Sequence, residues 1–118
     1  MAKSIMQDQK ECYITHSTLE LQEHHVMNGP FRKKSEKYGL KVYLRYDVHK
    51  DTNYSVHQNV DMADLLKMIA QITFEKKYGH EKWMSEFKKN LLNGDECIGE
   101  LRARLRDRCE ELWQSKES

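Results

Sequence analysis

Alternating apolar and polar residues in the first half of the chain predict a β-hairpin. Residues 42–46 alternate strictly, which indicates a half-buried strand between Gly39 and Asp47. A weaker alternation runs through residues 19–26, and residues 12–15 are rich in apolar and β-branched side chains. We therefore expect a short strand at 12–15 and an antiparallel pair formed by the two longer stretches.

The second half of the chain has the spacing of amphipathic helices. Apolar residues recur every three or four positions after Asn59, so a helix is expected from there to Gly79. Residues 80–92 continue with a second helix of the same spacing. A shorter basic helix is expected at 31–38, and Gly39 should end it because glycine accepts the left-handed conformation.

A further predicted helix near the end of the chain carries an apolar seam. Asp95 can serve as its N-cap, and the seam consists of Ile98, Leu101, Leu105, Cys109, Leu112 and Trp113. Such a seam packs either on its own domain or on a second copy, in a homodimer formed through residues 95–115. The whole pattern predicts an α+β fold with a main domain at 1–92 and a C-terminal helical extension at 93–118.

The length of the chain suits one domain of modest size. Its overall charge does not predict a polyanionic partner. The 118 residues carry 20 Lys and Arg against 19 Asp and Glu, a net charge of +1. Cations do cluster in one place, which we call the basic segment: Arg32, Lys33, Lys34, Lys37 and Lys41. It is either a solvated charge run or, beside a metal site, a surface that contacts phosphates.

Cysteine usage and hydropathy bear on where the protein works. Cys12, Cys97 and Cys109 are an odd number at wide spacings without a secretory leader, so a disulfide framework is not expected. No apolar run approaches the roughly 20 residues that a membrane helix needs. The sequence therefore predicts a cytoplasmic protein without a membrane partner.

Histidines are concentrated in the first half of the chain. Five of the six lie within the first 57 residues, and they include the pair His24-His25 followed by His49 and His57. Imidazole binds divalent transition metals and acts as a general base near neutral pH, so the set suggests a metal-assisted site. The alternative is a set of surface and core histidines. Neighbouring strand residues point to opposite faces, so either the strand bulges at the pair or only one histidine reaches the site.

These residues carry a family resemblance. The chain resembles small HNH-nuclease-like proteins of phages and prophages over residues 11–92. The likeness is based mainly on three strings: Glu11-Cys12-Tyr13-Ile14-Thr15, Glu23-His24-His25-Val26 and Gly29-Pro30-x-Arg32-Lys33-x-Ser35-Glu36-Lys37-Tyr38-Gly39-Leu40-x-Val42-Tyr43-Leu44-Arg45. It continues through His49, Asn53 and His57 to residues 74–82.

The resemblance implies a ββα-metal hairpin core and a metal-dependent DNA endonuclease or recombination-associated nuclease that works inside a bacterial host cell. His24 and His49 would bind one divalent ion, either Mg²⁺, Mn²⁺, Ni²⁺ or Zn²⁺, and His25 would be the general base. Asn53 would be a third ligand or a phosphate contact, with His57 in a supporting role. The basic segment would hold the DNA backbone without reading its sequence.

Two departures from the family leave a second interpretation open. Cys12 is followed by Thr15 where a zinc knuckle would have a second cysteine, so structural zinc is not expected. The middle Asn of the HNH name is replaced by Leu40. The alternative is thus a catalytically weak or inactive HNH-like phage protein that binds DNA or a host defence protein.

Overall fold

A two-stranded antiparallel sheet is surrounded by helices in the computed structural model, which describes residues 3–117 and side chains up to Ser115. Residues 1, 2 and 118, at the ends of the two predicted parts, lie outside it. The elements in chain order are β1 (Leu21–His25), a 3-10 turn (Gly29–Phe31), α1 (Arg32–Tyr38), β2 (Lys41–Arg45), α2 (Tyr46–His49), α3 (Val60–Tyr78), α4 (His80–Phe87) and α5 (Ile98–Glu117). The predicted α+β class is confirmed.

The strand pair has a regular register. His24 lies opposite Val42 and His25 lies opposite Lys41, with consecutive partners along the whole of β1. Directly opposed residues share a face of the sheet, so the two histidines point to opposite faces. His24 is on the face that carries buried Val42 and Leu44.

The segment between the strands follows the prediction, whereas the segment before them does not. Helix α1 ends at Gly39, which has a left-handed φ of 72° and no room for a side chain against the Lys3 carbonyl. Residues 12–15 form a turn instead of the expected strand, because the His16 N–H donates to the Cys12 carbonyl at 2.9 Å.

Helix α3 matches its predicted limits, and α4 is shorter than expected. The Asn59 side chain caps α3 by accepting from the Met62 N–H. Helix α4 ends at Phe87, followed by Lys88 in the left-handed conformation, rather than at residue 92. The following residues are bonded to α3 instead, since the buried Gln71 carboxamide accepts the Leu91 N–H at 2.8 Å.

Helix α5 packs along α3 and closes the core. Leu101, Leu105 and Cys109 of its apolar seam are buried, in the same hydrophobic cluster as Leu66 and Phe74. The cluster thus draws residues from both predicted parts of the chain. No helix among the described residues has the length and apolar character required to span a membrane.

Candidate metal centre

Three histidine side chains converge between β1, α2 and the loop before α3. We call His24, His49 and His57 the three-histidine cluster. Their ring centroids are 4.7–5.3 Å apart, and one nitrogen from each ring lies within 4.8 Å of the other two. Two ligands about 2.0–2.1 Å from one tetrahedral ion are about 3.3 Å apart, so nitrogens within 4.8 Å of one another need only small ring movements to share an ion.

The backbone brings His57 back to His49 although eight residues separate them. Residues 51–58 form turns, not a helix. The Val56 N–H donates to the Val48 carbonyl at 2.7 Å, and the His57 N–H donates to the His49 carbonyl at 3.2 Å. As a result the two Nε2 atoms are 3.1 Å apart.

The loop between these histidines is tied to the end of β2 through Asp47. Its carboxylate accepts from Arg45 Nε at 2.6 Å and from the Tyr54 hydroxyl at 3.0 Å. The Thr52 hydroxyl donates to the backbone carbonyl of Asp47. Charge-assisted hydrogen bonds of this kind are the stronger ones, so the loop is held firmly at its base.

Burial keeps the inner members of the cluster neutral. It lowers the pKa of His24 to about 3, and the positive charges of His49 and His57 add to the effect. Burial, followed by the charges of His57 and Lys50, lowers the pKa of His49 to about 4. Neutral imidazole is the form that binds a metal, so at neutral pH these rings offer free lone pairs.

One member of the cluster is exposed. His24 and His49 are 6% and 8% exposed, whereas His57 lies at the surface. Three protein ligands leave one position of a tetrahedral ion free, which distinguishes a reactive site from a closed structural one. The donor set and its exposure therefore fit an ion that also binds a small molecule or a substrate from solvent.

His25, expected to be the general base, lies on the opposite face of the sheet. Its Nε2 is 3.3 Å from Glu36 Oε1 and 3.8 Å from Glu23 Oε1. Lys41 joins these carboxylates, with Nζ 2.6 Å from Glu36 Oε2. The reason is the regular alternation of β1, which sends adjacent side chains to opposite faces.

Asn53, expected to be a ligand or phosphate contact, faces α5. It is exposed, and its amide donates to the Leu112 carbonyl at 3.1 Å. A helix would place Asn53 one turn after His49, but residues 51–58 form turns, which remove that spacing. His57, expected only to support the site, is the residue that joins His24 and His49.

Some side chains of the basic segment are exposed, and others are bound to carboxylates. Arg32, Lys33 and Lys37 are at the surface. Lys34 binds Glu86 at 3.3 Å. Lys41 is only 5% exposed and is held by Glu36, so it is not part of the accessible basic surface. Three of the five predicted DNA contacts are therefore placed where a phosphate can reach them.

Comparison with known proteins adds no relative: the chain matches no protein-family model, no curated protein and no solved structure. The functional interpretation therefore depends on the geometry of the three-histidine cluster and on the exposed cations.

Proposed function

We propose that this protein is a metal-dependent phosphodiesterase that acts on DNA, with one transition metal ion held by His24, His49 and His57. The observation that carries the proposal is the convergence of three imidazoles, of which two are buried and the third, that of His57, is exposed. The order β1, α1, β2, α2, with a histidine on β1 and another on α2, agrees with a ββα-metal core that has a helix inserted between its two strands.

The donor set favours some metals over others. All three donors are imidazole nitrogens, which suit Zn²⁺ and Ni²⁺. Mg²⁺ prefers oxygen ligands and retains several waters, so it suits this cluster poorly. Of the four ions that the family resemblance allows, we therefore expect Zn²⁺ and Ni²⁺ to bind most tightly.

The ion and the side chains of the protein would each contribute a part of the chemistry. An ion of this kind, when bound, offsets charge on a phosphate and lowers the pKa of a coordinated water. The chain supplies the ligands, keeps His24 and His49 neutral by burial, and leaves the side of exposed His57 open to a phosphodiester. Arg32, Lys33 and Lys37 provide exposed cations that would hold the DNA backbone without reading its sequence.

A DNA cleavage assay tests the proposal. Supercoiled plasmid is incubated with the protein and Zn²⁺, Ni²⁺, Mn²⁺ or Mg²⁺, and nicked product is followed on a gel. We expect nicking with Zn²⁺ or Ni²⁺, and a fall to the metal-free background in His57→Ala. That variant should fold normally, because a surface substitution usually changes stability by less than about 0.5 kcal/mol. The matched control is His80→Ala, since His80 is exposed and distant in sequence from the cluster.

A second candidate is supported by the position of His25. Its Nε2 is engaged by Glu36 on the far face of the sheet, so it is not beside the three-histidine cluster as a general base would be. This favours a metal-containing protein that binds DNA, or a host protein, without hydrolysis. Metal-dependent DNA binding in an anisotropy assay, with no nicking under any of the four ions, would replace the first candidate with the second.

A further inference from the structure

Gln22 lies directly behind one of the proposed ligands. It precedes His24 by two residues in β1, so both side chains project from the same face of the sheet. Its side-chain oxygen, Oε1, accepts a hydrogen bond from His49 Nδ1 at 2.7 Å. No sequence motif singles out Gln22, and only the strand alternation places it beside the cluster.

This hydrogen bond determines which nitrogen of His49 is available. A neutral imidazole has one N–H and one lone pair, and the ring nitrogen that donates a proton cannot bind a metal. Because Nδ1 donates to Gln22, the lone pair is on Nε2. That atom is the one directed at His57, 3.1 Å from its Nε2.

The same bond also fixes the orientation of the ring. His49 belongs to α2, a helix of only four residues, and α2 alone gives the side chain little support. The Gln22 carboxamide connects the ring to the neighbouring strand. Outer partners of this type hold ligating histidines in the correct tautomer and raise their basicity.

We propose that Gln22 is a positioning residue of the metal centre, which holds His49 in the tautomer and orientation that binds a transition metal ion. This inference rests on the proposed function, because it requires that the three-histidine cluster binds a metal. Loss of an outer partner of this kind typically weakens metal affinity about 10- to 100-fold.

The test compares two replacements at position 22. Gln22→Met keeps the size of the side chain but removes the acceptor, and Gln22→Glu keeps an acceptor of greater strength. Affinity for Zn²⁺ and for Ni²⁺ is measured by competition with a coloured chelator. We expect Gln22→Met to bind about 10- to 100-fold more weakly than the parent protein, and Gln22→Glu to bind at least as tightly. Gln114→Met, on the exposed side of α5, is the control and should match the parent.

A second readout needs no metal. Nitrogen chemical shifts of the imidazoles in metal-free protein report the tautomer of each histidine. The parent and Gln22→Glu should show His49 protonated at Nδ1, and Gln22→Met should show a mixture of tautomers. A general loss of packing would instead broaden signals across the protein.

The outcomes separate the positioning role from the metal centre itself. A parent protein that binds neither ion overturns the metal centre and the positioning role together. A parent that binds metal, with a Gln22→Met variant of equal affinity, overturns the positioning role alone. Equal weakening in Gln22→Met and Gln22→Glu also overturns it, because an acceptor would then have no effect.

Discussion

Replacing His24 with alanine is expected to weaken binding of Zn²⁺ or Ni²⁺ by more than about 100-fold. About 100-fold is the upper end of the loss caused by removing a residue that only positions a ligand, and His24 is a proposed ligand itself. His24 is a buried member of the three-histidine cluster, and its ring is 5.1 Å from that of His49 and 5.3 Å from that of His57. Without it, two imidazoles remain, which is fewer than the three protein ligands of an open metal site. Isothermal titration with each ion measures the loss.

The His24 experiment requires a folded variant, because the ring is 6% exposed and supports the core around Val42. His24→Gln fills more of the space and serves as the second variant, with circular dichroism confirming the fold of each. His80→Ala is the control for loss of a histidine outside the cluster. Parent-like affinity in either folded His24 variant would contradict the proposed ligand set.

Removal of α5 is expected to unfold the domain. Leu101 and Leu105 are each 1% exposed, and burial of a leucine side chain contributes roughly 1.5–3 kcal/mol. Together with the burial of Cys109, the contribution of these two leucines approaches the roughly 5–15 kcal/mol that stabilises a whole domain. A chain that ends at Asn93 should therefore lose its cooperative thermal transition and aggregate, as measured by circular dichroism and size-exclusion chromatography.

Point variants in α5 show whether the burial of its apolar side chains stabilises the domain. Leu105→Ala should cost about 2–5 kcal/mol because it leaves a cavity between α5 and α3. Arg104→Ala, on the exposed side next to it, should change stability by less than about 0.5 kcal/mol. A shortened chain that remains folded, and changes only from dimer to monomer, would instead support the interpretation of residues 95–115 as a dimer helix.

The elements that the sequence predicts well are those determined by local patterns. Strict alternation locates β2, the spacing of apolar residues locates α3, and Gly39 ends α1 because the required φ is left-handed. The end of α4 was not predictable in this way. The helix stops at a left-handed Lys88, and the residues after it are held by Gln71, which is far away in sequence and accepts the Leu91 N–H.

The candidate site depends more on contacts between distant residues. Helical spacing links His49 to Asn53, but the chain turns after His49 and returns through two backbone hydrogen bonds to place His57 there. No local sequence pattern predicts the two hydrogen bonds that place His57 beside His49. Asn53 instead reaches the carbonyl of Leu112, in a helix 59 residues further along the chain.

Two further residues are not where the resemblance would place them, because strand alternation puts His25 on the opposite face of the sheet and Glu36 engages Lys41. His25 and Lys41 are directly opposed in the sheet, and both contact Glu36 from α1. A count of basic residues along the chain cannot reveal which of them meet a carboxylate in the fold. The alternation of β1, by contrast, was sufficient to predict that only one of the paired histidines reaches the site, unless the strand bulged.

Anomalous diffraction from crystals grown with Zn²⁺ or Ni²⁺ shows whether His24, His49 and His57 hold one transition metal ion. We expect a single strong peak about 2.0–2.1 Å from one nitrogen of each of the three rings. A second group among the described residues that could hold an ion consists of Glu23, His25 and Glu36. A peak there, or none at the three-histidine cluster in metal-saturated crystals, would show that the three histidines do not form the metal centre.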